Sequence, residues 1–372
     1  MENISGEEWN AISGTDYPFL RHEFLWGLEQ TGCVTAETGW QPCHIIIREE
    51  HGRAIGLLPL YLKSHSYGEY VFDWSWADAW QRNGLAYYPK LVSAIPFTPA
   101  TGPRLRICQE YSSDDVWPVV LSAIKNLAEQ RKLSSWHLLF PEEGEAAKLV
   151  HEGLHLRTAT QFHWYNEGFS CFDDFLSTFS SRKRKNLKKE RKRVNEQGFQ
   201  FQTLTGAEIT EAHWNQFYRF YQHTYAKRSG HGGYLSKEFF TQTAASMGEQ
   251  VILILAHLDN EPVAGALFFR SKDTLYGRYW GCIREYDYLH FEACYYRGIE
   301  YSIDNGLKKF DPGAQGEHKI QRGFRPVKTY SNHWIADPGF SQAIANFTVE
   351  ERAHIEQYLQ QTTALLPFKT EP

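Results

Sequence analysis

Between residues 273 and 334 the hydrophobic period changes twice, and few folds tolerate the order in which it does so. Residues 275–282 (LYGRYWGC) alternate large and small side chains, the period of a strand. The loop 283–288 (IREYDY) follows. Residues 289–305 then repeat with a helical period: Phe291, Tyr295, Ile299 and Ser302 share one face, with Arg297, Glu300 and Asp304 opposite. Gly306 stands where such a helix needs a left-handed C-terminal cap, and residues 307–311 return to a short strand. Next comes PGAQGEHKIQRGFRP, residues 312–326, too polar and glycine-rich for a core. A strand, helix and strand that open into a polar glycine loop exclude an all-α or all-β chain, and they make a place for chemistry.

The flanking chain repeats the same mixture. Toward the N-terminus, residues 44–48 and 54–62 read as a hairpin around His51-Gly52, 116–130 as a helix, 135–140 as a strand, 142–152 as a helix and 155–164 as a strand. Further on, Ser180-Ser181 can cap a helix that Gly198 ends. A strand at 199–204, helices at 209–225 and 237–247, and paired strands at 251–257 and 262–271 lead into the opening stretch, and one helix at 348–359 closes the chain. The second half thus reads β-α-α-β-β-β-α-β, with the first half a looser version of it. A length of 372 residues suits two domains. They are placed at 1–165 and 166–345, with a helical tail at 346–372.

Net charge is −5, so composition gives no overall nucleic-acid signature. The longest apolar run, 251–256, is far below the roughly 20 residues that span a bilayer, and the N-terminus MENISGEEWN carries no apolar run of a signal peptide. Six cysteines with no CxxC pair read as reduced thiols of a cytoplasmic protein. Aromatic content of 15% is high and suggests an aromatic-lined cleft.

Four motifs bear on chemistry. His151-Glu152-Gly153-Leu154-His155 matches the H-E-x-x-H zinc pattern, but that pattern needs one continuous helix. Gly153 reads as a helix terminator, so no metal site is expected here. Residues 182–193 hold nine Lys/Arg and one Glu. Such a run is usually a solvated face, yet its self-repulsion favours nearby anions, and Arg184, Lys188 and Arg191 are read as donor-binding. The segment FDWSWADAW interleaves Asp73 and Asp78 with Trp74 and Trp76, an aromatic wall with negative charges that suits an acceptor amine. The glycine loop carries Glu317 and His318, an adjacent carboxylate and imidazole of which one is expected to be the general base. Lys319 and Arg322 are expected to hold an anionic group of the donor, and Asp311 and Gln315 to orient the acceptor. On the preceding helix Glu292 and Tyr296 lie at i and i+4; Glu292 is placed on the acceptor side and Tyr296 as the acid that protonates the leaving group. No nucleophile elbow or Walker loop is present.

Three strings carry a family resemblance over nearly the whole chain: FDWSWADAW with YYPKL and PFTPATGPRL; SRKRKNLKKERKRV; and LHFEACYYRGIEYSI with DPGAQGEHKIQRGFRP and TYSNHWI. They resemble the GNAT superfamily and, within it, the peptidoglycan-biosynthesis-like predicted N-acyltransferases related to Fem-type aminoacyl transferases. The resemblance implies an α/β (α+β) fold of two tandem GNAT-like domains facing each other across a cleft. IREYDY stands where the general GNAT pattern has a Q/R-x-x-G-x-G/A phosphate loop, which argues against an ordinary acetyl-CoA donor.

The expected activity is amide formation by direct transfer. The donor is an aminoacyl-tRNA or a fatty acyl thioester on CoA or an acyl carrier protein, acting as co-substrate with no bound cofactor. The acceptor is an amine on a peptide, peptidoglycan precursor or metabolite. Two other readings stand beside it: a non-catalytic module that binds a cell-wall or peptide ligand, and an RNA-binding protein, against which the net charge argues.

Overall fold

The computed structural model describes residues 1–314 and 316–369. The chain forms two compact units. The first comprises Met1–Thr160 and Lys328–Tyr358; the second comprises Gln161–Val327 and the residues from Leu359 onward. The chain therefore re-enters the first unit after the glycine loop.

In the first unit Ile45–Arg48, Ala54–Leu58 and Arg106–Ile107 form a small antiparallel sheet. The hairpin expected at 44–62 is broken after Leu58. Pro59 donates no N–H to a ladder, and the chain re-pairs beyond it as Tyr61–Lys63 in a second sheet, against Trp40–Pro42 and Lys90–Ser93. Lys90–Ser93 runs parallel to Ser135–Leu139, which pairs antiparallel with residues 331–335. Alternation along Ser135–Leu139 sends Trp136 and Leu138 against helix Ser113–Arg131, where Val116, Trp117, Val120 and Ile124 complete a core. It sends His137 to the other face, opposite His333. The helix after this strand ends at His151, Gly153 takes φ 88°, and His155 opens a strand, so the two histidines of the H-E-x-x-H match lie on different elements.

Elements of the second unit are labelled α1 (Ser181–Glu196), β1 (Gln200–Thr205), α2 (Glu211–Ser229), β2 (Val251–Leu258), β3 (Glu261–Arg270), β4 (Thr274–Cys282), α3 (residues 289–304) and β5 (Lys309–Asp311). The pairs β1–β2, β2–β3 and β3–β4 are antiparallel, and β4–β5 is parallel. The end of strand His155–Tyr165 pairs with β5. Val251–Ala256 is wholly buried, which explains its unbroken apolar run. Trp214, Phe217, Phe220 and Tyr221 of α2 pack onto the sheet. A side chain at Gly281 of β4 would place its Cβ 2.2–2.4 Å from the Phe220 and Tyr221 backbone, so glycine is what lets α2 lie this close.

Two helices differ from their sequence reading. The C-terminal helix is Pro338–Ala364, not 348–359. Within α3 the turn Glu292–Tyr296 is a π-helix, and the insertion rotates the helix so that Glu292 and Tyr296 are buried along with Tyr295 and Ile299.

Candidate active site

The second unit holds an opening between two strands. β4 and β5 pair only through Thr274–Lys309, Leu275–Phe310 and Tyr276–Asp311. β5 stops there because Pro312 follows, without an N–H to continue the ladder. Among the described residues the β4–β5 ladder ends at Tyr276–Asp311, and the two strands part from Gly277 onward. A bulge opposite Leu267 and Phe268 makes Arg278 the extra residue of β4 and re-aims its side chain. Arg278 Nη2 donates to Asp311 Oδ2 at 3.0 Å, with both side chains buried. Gly313 N donates to Asp311 Oδ1 at 2.8 Å, and His163 Nε2 lies 3.7 Å from the same oxygen. Burial alone would raise the Asp311 carboxyl. Arg278 and then His163 outweigh it and hold the group well below the usual carboxylate range. Burial, only partly offset by Asp311, lowers His163 to about 4.

The glycine loop wraps the mouth of this opening. Gly316 takes φ 107°, and a Cβ there would meet the His318 ring at 2.3 Å. Residues Glu317–Arg322 form a 3₁₀ turn that buries Lys319, Ile320 and Arg322. Lys319 Nζ donates to Gly313 O at 2.7 Å. Burial lowers its pKa to about 8, against the pull of Asp311. His318 Nε2 is 2.9 Å from the Tyr295 hydroxyl. The residue still reaches solvent; partial desolvation of its ring, then the Arg322 and Lys319 charges, bring it to about 4, so the imidazole is neutral at pH 7. Glu317 is exposed at the head of the turn.

Behind the turn sits a buried ionic cluster. Arg322 donates through Nε to Tyr296 Oη at 2.9 Å, through Nη1 to His318 O at 2.7 Å, and through Nη2 to both oxygens of Glu190 at 3.0 and 2.8 Å. Tyr296 Oη donates to Glu190, and burial raises its phenol far above the ordinary value. Glu292 accepts from Arg191 Nε and Nη2 at 3.0 and 2.8 Å, with Arg297 also 3.0 Å away.

At the far end of β4, toward the start of α3, lies a cavity of about 330 Å³. Lys227 and Arg228 from the end of α2, Arg284 from the IREYDY loop, and His223 and His290 line it, with Trp280, Tyr286, Tyr288 and Phe291 as apolar wall. Glu285 and Asp287 reduce its positive charge. Burial pushes His290 down to about 3, so it enters as a neutral ring.

The structure brings Tyr296, Glu292, Arg191, Asp311, His318, Lys319 and Arg322 together. It differs from the sequence reading in what five of them do: Arg191, read as donor-binding, and Glu292, read as acceptor-binding, are paired with each other. Lys319 and Arg322, read as holders of a donor anion, point inward onto Gly313, Tyr296, His318 and Glu190, because a buried cation must be matched by acceptors. Tyr296, read as an acid toward the leaving group, donates its hydroxyl hydrogen bond to Glu190. Arg184 is half-exposed on α1, Lys188 reaches Asp173 at 2.9 Å on the surface, and Gln315 lies outside the described residues.

Asp73, Trp74, Trp76 and Asp78 belong to the first unit, where Trp74–Arg82 is a helix. Only Trp74 and Asp78 face solvent. Trp76 is buried beside His333. Asp73 is buried too, and it accepts from Tyr87 Oη at 2.5 Å and from the fully buried Lys90, which also donates to Glu69 at 2.8 Å. The Asp73 carboxylate that was to meet an acceptor amine is thus already occupied by a lysine of its own chain. Sequence reading missed His163, Arg278, Glu190, His290 and the cations of the cavity. One signal was available: Gly277 inside a strand marks a bulge, and Arg278 is the residue it re-aims.

A family model described as peptidoglycan biosynthesis/recognition, FemAB-like, matches residues 1–370. The chain belongs to the FemAB-like family. With that membership goes acyltransferase activity on the GNAT fold. FemX aligns with 13% identity and a TM-score of 0.54, over 92% of this chain and 98% of its own. The C-terminal domain of a putative lysylphosphatidylglycerol synthetase from Agrobacterium fabrum aligns with 10% identity and a TM-score of 0.53, over 87% and 96%. L-PGS from Bacillus licheniformis aligns with 12% identity and a TM-score of 0.50, over 87% and 95%. These likenesses establish the fold, two tandem GNAT-like domains, for this FemAB-like chain. No curated protein matches it.

Among the described residues no group of three or more His, Cys, Asp or Glu is placed to hold a metal ion, and no helix is long and apolar enough to cross a membrane.

Proposed function

We propose that this FemAB-like protein joins an activated acyl group to an amine in the opening between β4 and β5. The reading rests on the buried, pKa-lowered Lys319 beside Asp311 and Arg278 where those strands part. The six residues of β4 from Gly277 to Cys282 span about 17–20 Å of extended chain. They link this point to the cation- and aromatic-lined cavity. A donor laid along that edge has its anionic, ring-bearing end in the cavity and its acyl carbon at the opening. Backbone N–H groups at the point where the strands part supply hydrogen bonds to the developing oxyanion.

Attack requires a neutral amine and a place for its proton. His318 is neutral at pH 7; with Nε2–H donating to Tyr295, its Nδ1 lone pair accepts that proton. Its low pKa makes it a weak base that returns the proton readily to the leaving oxygen or sulfur. Lys319 is still mostly charged at pH 7 and stabilises the oxyanion. Glu317, exposed beside them, orients the acceptor. The proton from the amine reaches His318 as the C–N bond forms, and the leaving group receives it as the acyl bond breaks, so no covalent enzyme intermediate is needed.

The donor we assign is an aminoacyl-tRNA, in keeping with the family's Fem-type kinship and with IREYDY in place of a glycine-rich phosphate loop. The acceptor is an amine of a peptidoglycan precursor or related peptide. The test is transfer from aminoacyl-tRNA, acyl-CoA and acyl carrier protein thioesters in parallel, with His318→Ala and Lys319→Ala beside wild type. Each variant is expected to lose on the order of 10²-fold in kcat. Near-wild-type turnover by both would show that the site lies elsewhere.

A further inference from the structure

α1 has two chemically different faces. Arg182, Lys185, Lys189 and Lys192 recur at intervals of three and four residues and are exposed. Lys183, Leu187, Glu190, Arg191 and Val194 form the opposite face: Leu187 and Val194 are buried, Lys183 donates to Gln321, and Arg191 holds Glu292. Glu190 is the sole acid among residues 182–193, and it lies on this inner face.

From that position Glu190 controls two groups. Both its oxygens accept from Arg322 Nη2, and it also accepts from Tyr296 Oη. Arg322 Nη1 in turn donates to the carbonyl of His318 at 2.7 Å, and its guanidinium lies 3.5 Å from the centroid of the Phe291 ring. The 3₁₀ turn carrying His318 and Lys319 is therefore tied to α1 at two points, Lys183 on Gln321 and the Glu190 carboxylate on Arg322, and only the second matches a buried charge. Without it the buried Arg322 charge keeps one hydroxyl and one carbonyl as partners, too little to hold a cation in place.

We propose that Glu190 is a positioning residue, which fixes the Glu317–Arg322 turn through Arg322 and so sets the placement of His318 and Lys319. The inference rests on the acyl-transfer reading for its kinetic consequence, but not for its structural one. The turn is short and glycine-flanked, anchored at its middle by the buried Lys319 and Ile320; the carboxylate of α1 fixes its far end by matching the Arg322 charge.

The experiment has one arm that needs no substrate. The His318 imidazole is followed by NMR titration in the full-length wild-type protein and in Glu190→Ala and Glu190→Gln. In Glu190→Ala the released turn draws the ring off Tyr295 and Phe291, which now shield one side of it, and the titration midpoint is expected to rise from about 4 toward the ordinary 6.5. Glu190→Gln keeps the shape and an acceptor oxygen, guards against misfolding of the alanine variant, and is expected to shift the midpoint less. In the second arm, kcat is expected to fall about 10–30-fold in Glu190→Ala with KM for both substrates within about twofold of wild type. Arg322→Met is expected to match it, and the double variant to lose little more. A lowered melting temperature with an unmoved His318 midpoint and unchanged kcat would overturn the proposal, leaving Glu190 as a helix brace only. If no donor is turned over by wild type, the acyl-transfer reading fails while the titration still decides the role of Glu190.

Discussion

Lys319 and His318 are neighbours in sequence, yet burial acts on their charges in opposite functional senses. Both pKa values are lowered by loss of water, complete for the buried Lys319 and partial for the His318 ring, which the Arg322 and Lys319 charges lower further. For His318, to about 4, that guarantees a neutral ring at pH 7. For Lys319, to about 8, it leaves a cation that is lost just above neutrality. If His318 accepts the proton and Lys319 stabilises the oxyanion, kcat is level between about pH 5 and 7.5 and declines above about 8. It also falls as pH drops toward 4. Lys319→Arg, charged throughout, is expected to remove the alkaline limb; a rate that instead climbs through pH 8 would make Lys319 the base. Unfolding cannot account for the alkaline loss through this group. The unfolded lysine binds its proton up to about 10.5 while the folded one releases it near 8, so the Lys319 contribution to stability rises across that interval.

At the scale of elements, α1 shows why a charge run is not one feature. Helical spacing divides it into cations that face solvent and cations that neutralise buried acids. Reversing Arg182, Lys185 and Lys189 to Glu is expected to weaken binding of a polyanionic donor and to flatten its salt dependence while leaving the melting temperature within a degree or two. Arg191→Ala does the opposite. It strips the buried Glu292 of a bidentate partner, with an expected cost of about 3 kcal/mol in denaturant unfolding. Equal effects of the two changes on donor affinity would refute the division. α3 teaches a related lesson. Its π turn turns Glu292 and Tyr296 inward, and no residue type in EACYY announces the extra residue.

At the scale of the molecule, the two units place their buried charges differently. In the second unit Asp311 and Lys319 stand at the opening between strands, with Arg322 and Glu292 in the cluster behind the turn. In the first, Lys90, Glu69 and Asp73 are enclosed, with Tyr87 donating to Asp73 and His137 3.1 Å from that hydroxyl. Burial raises Glu69 to about 7 even with Lys90 beside it. Lys90→Met leaves two carboxyls buried together without their cation, and an expected loss of about 3–5 kcal/mol follows. The loss should be smaller at pH 5, where Glu69 is protonated, than at pH 8, as urea titrations at the two pH values will show. A pH-independent loss would mean that Lys90 acts through packing and not through its charge.

Local periodicity is set by backbone geometry, so the sequence by itself determined the strand, helix and strand around residues 274–311, the helix of α1 and the glycine turn at 313–323. It also carried the family resemblance, because FDWSWADAW and DPGAQGEHKIQRGFRP are specific as strings. Partnership across the chain has no local signature. That β4 and β5 pair over three residues and then part was decided by tertiary structure, and so was the meeting of His163, Arg278 and Asp311 there. Asp73 illustrates the limit most sharply. Alternation with tryptophan suggests a wall open to an amine, but Lys90, 17 residues on, lies in the neighbouring strand and takes that carboxylate first. Which charges a fold neutralises internally depends on which side chains its packing brings within a hydrogen bond of each other, and only the folded chain sets those distances.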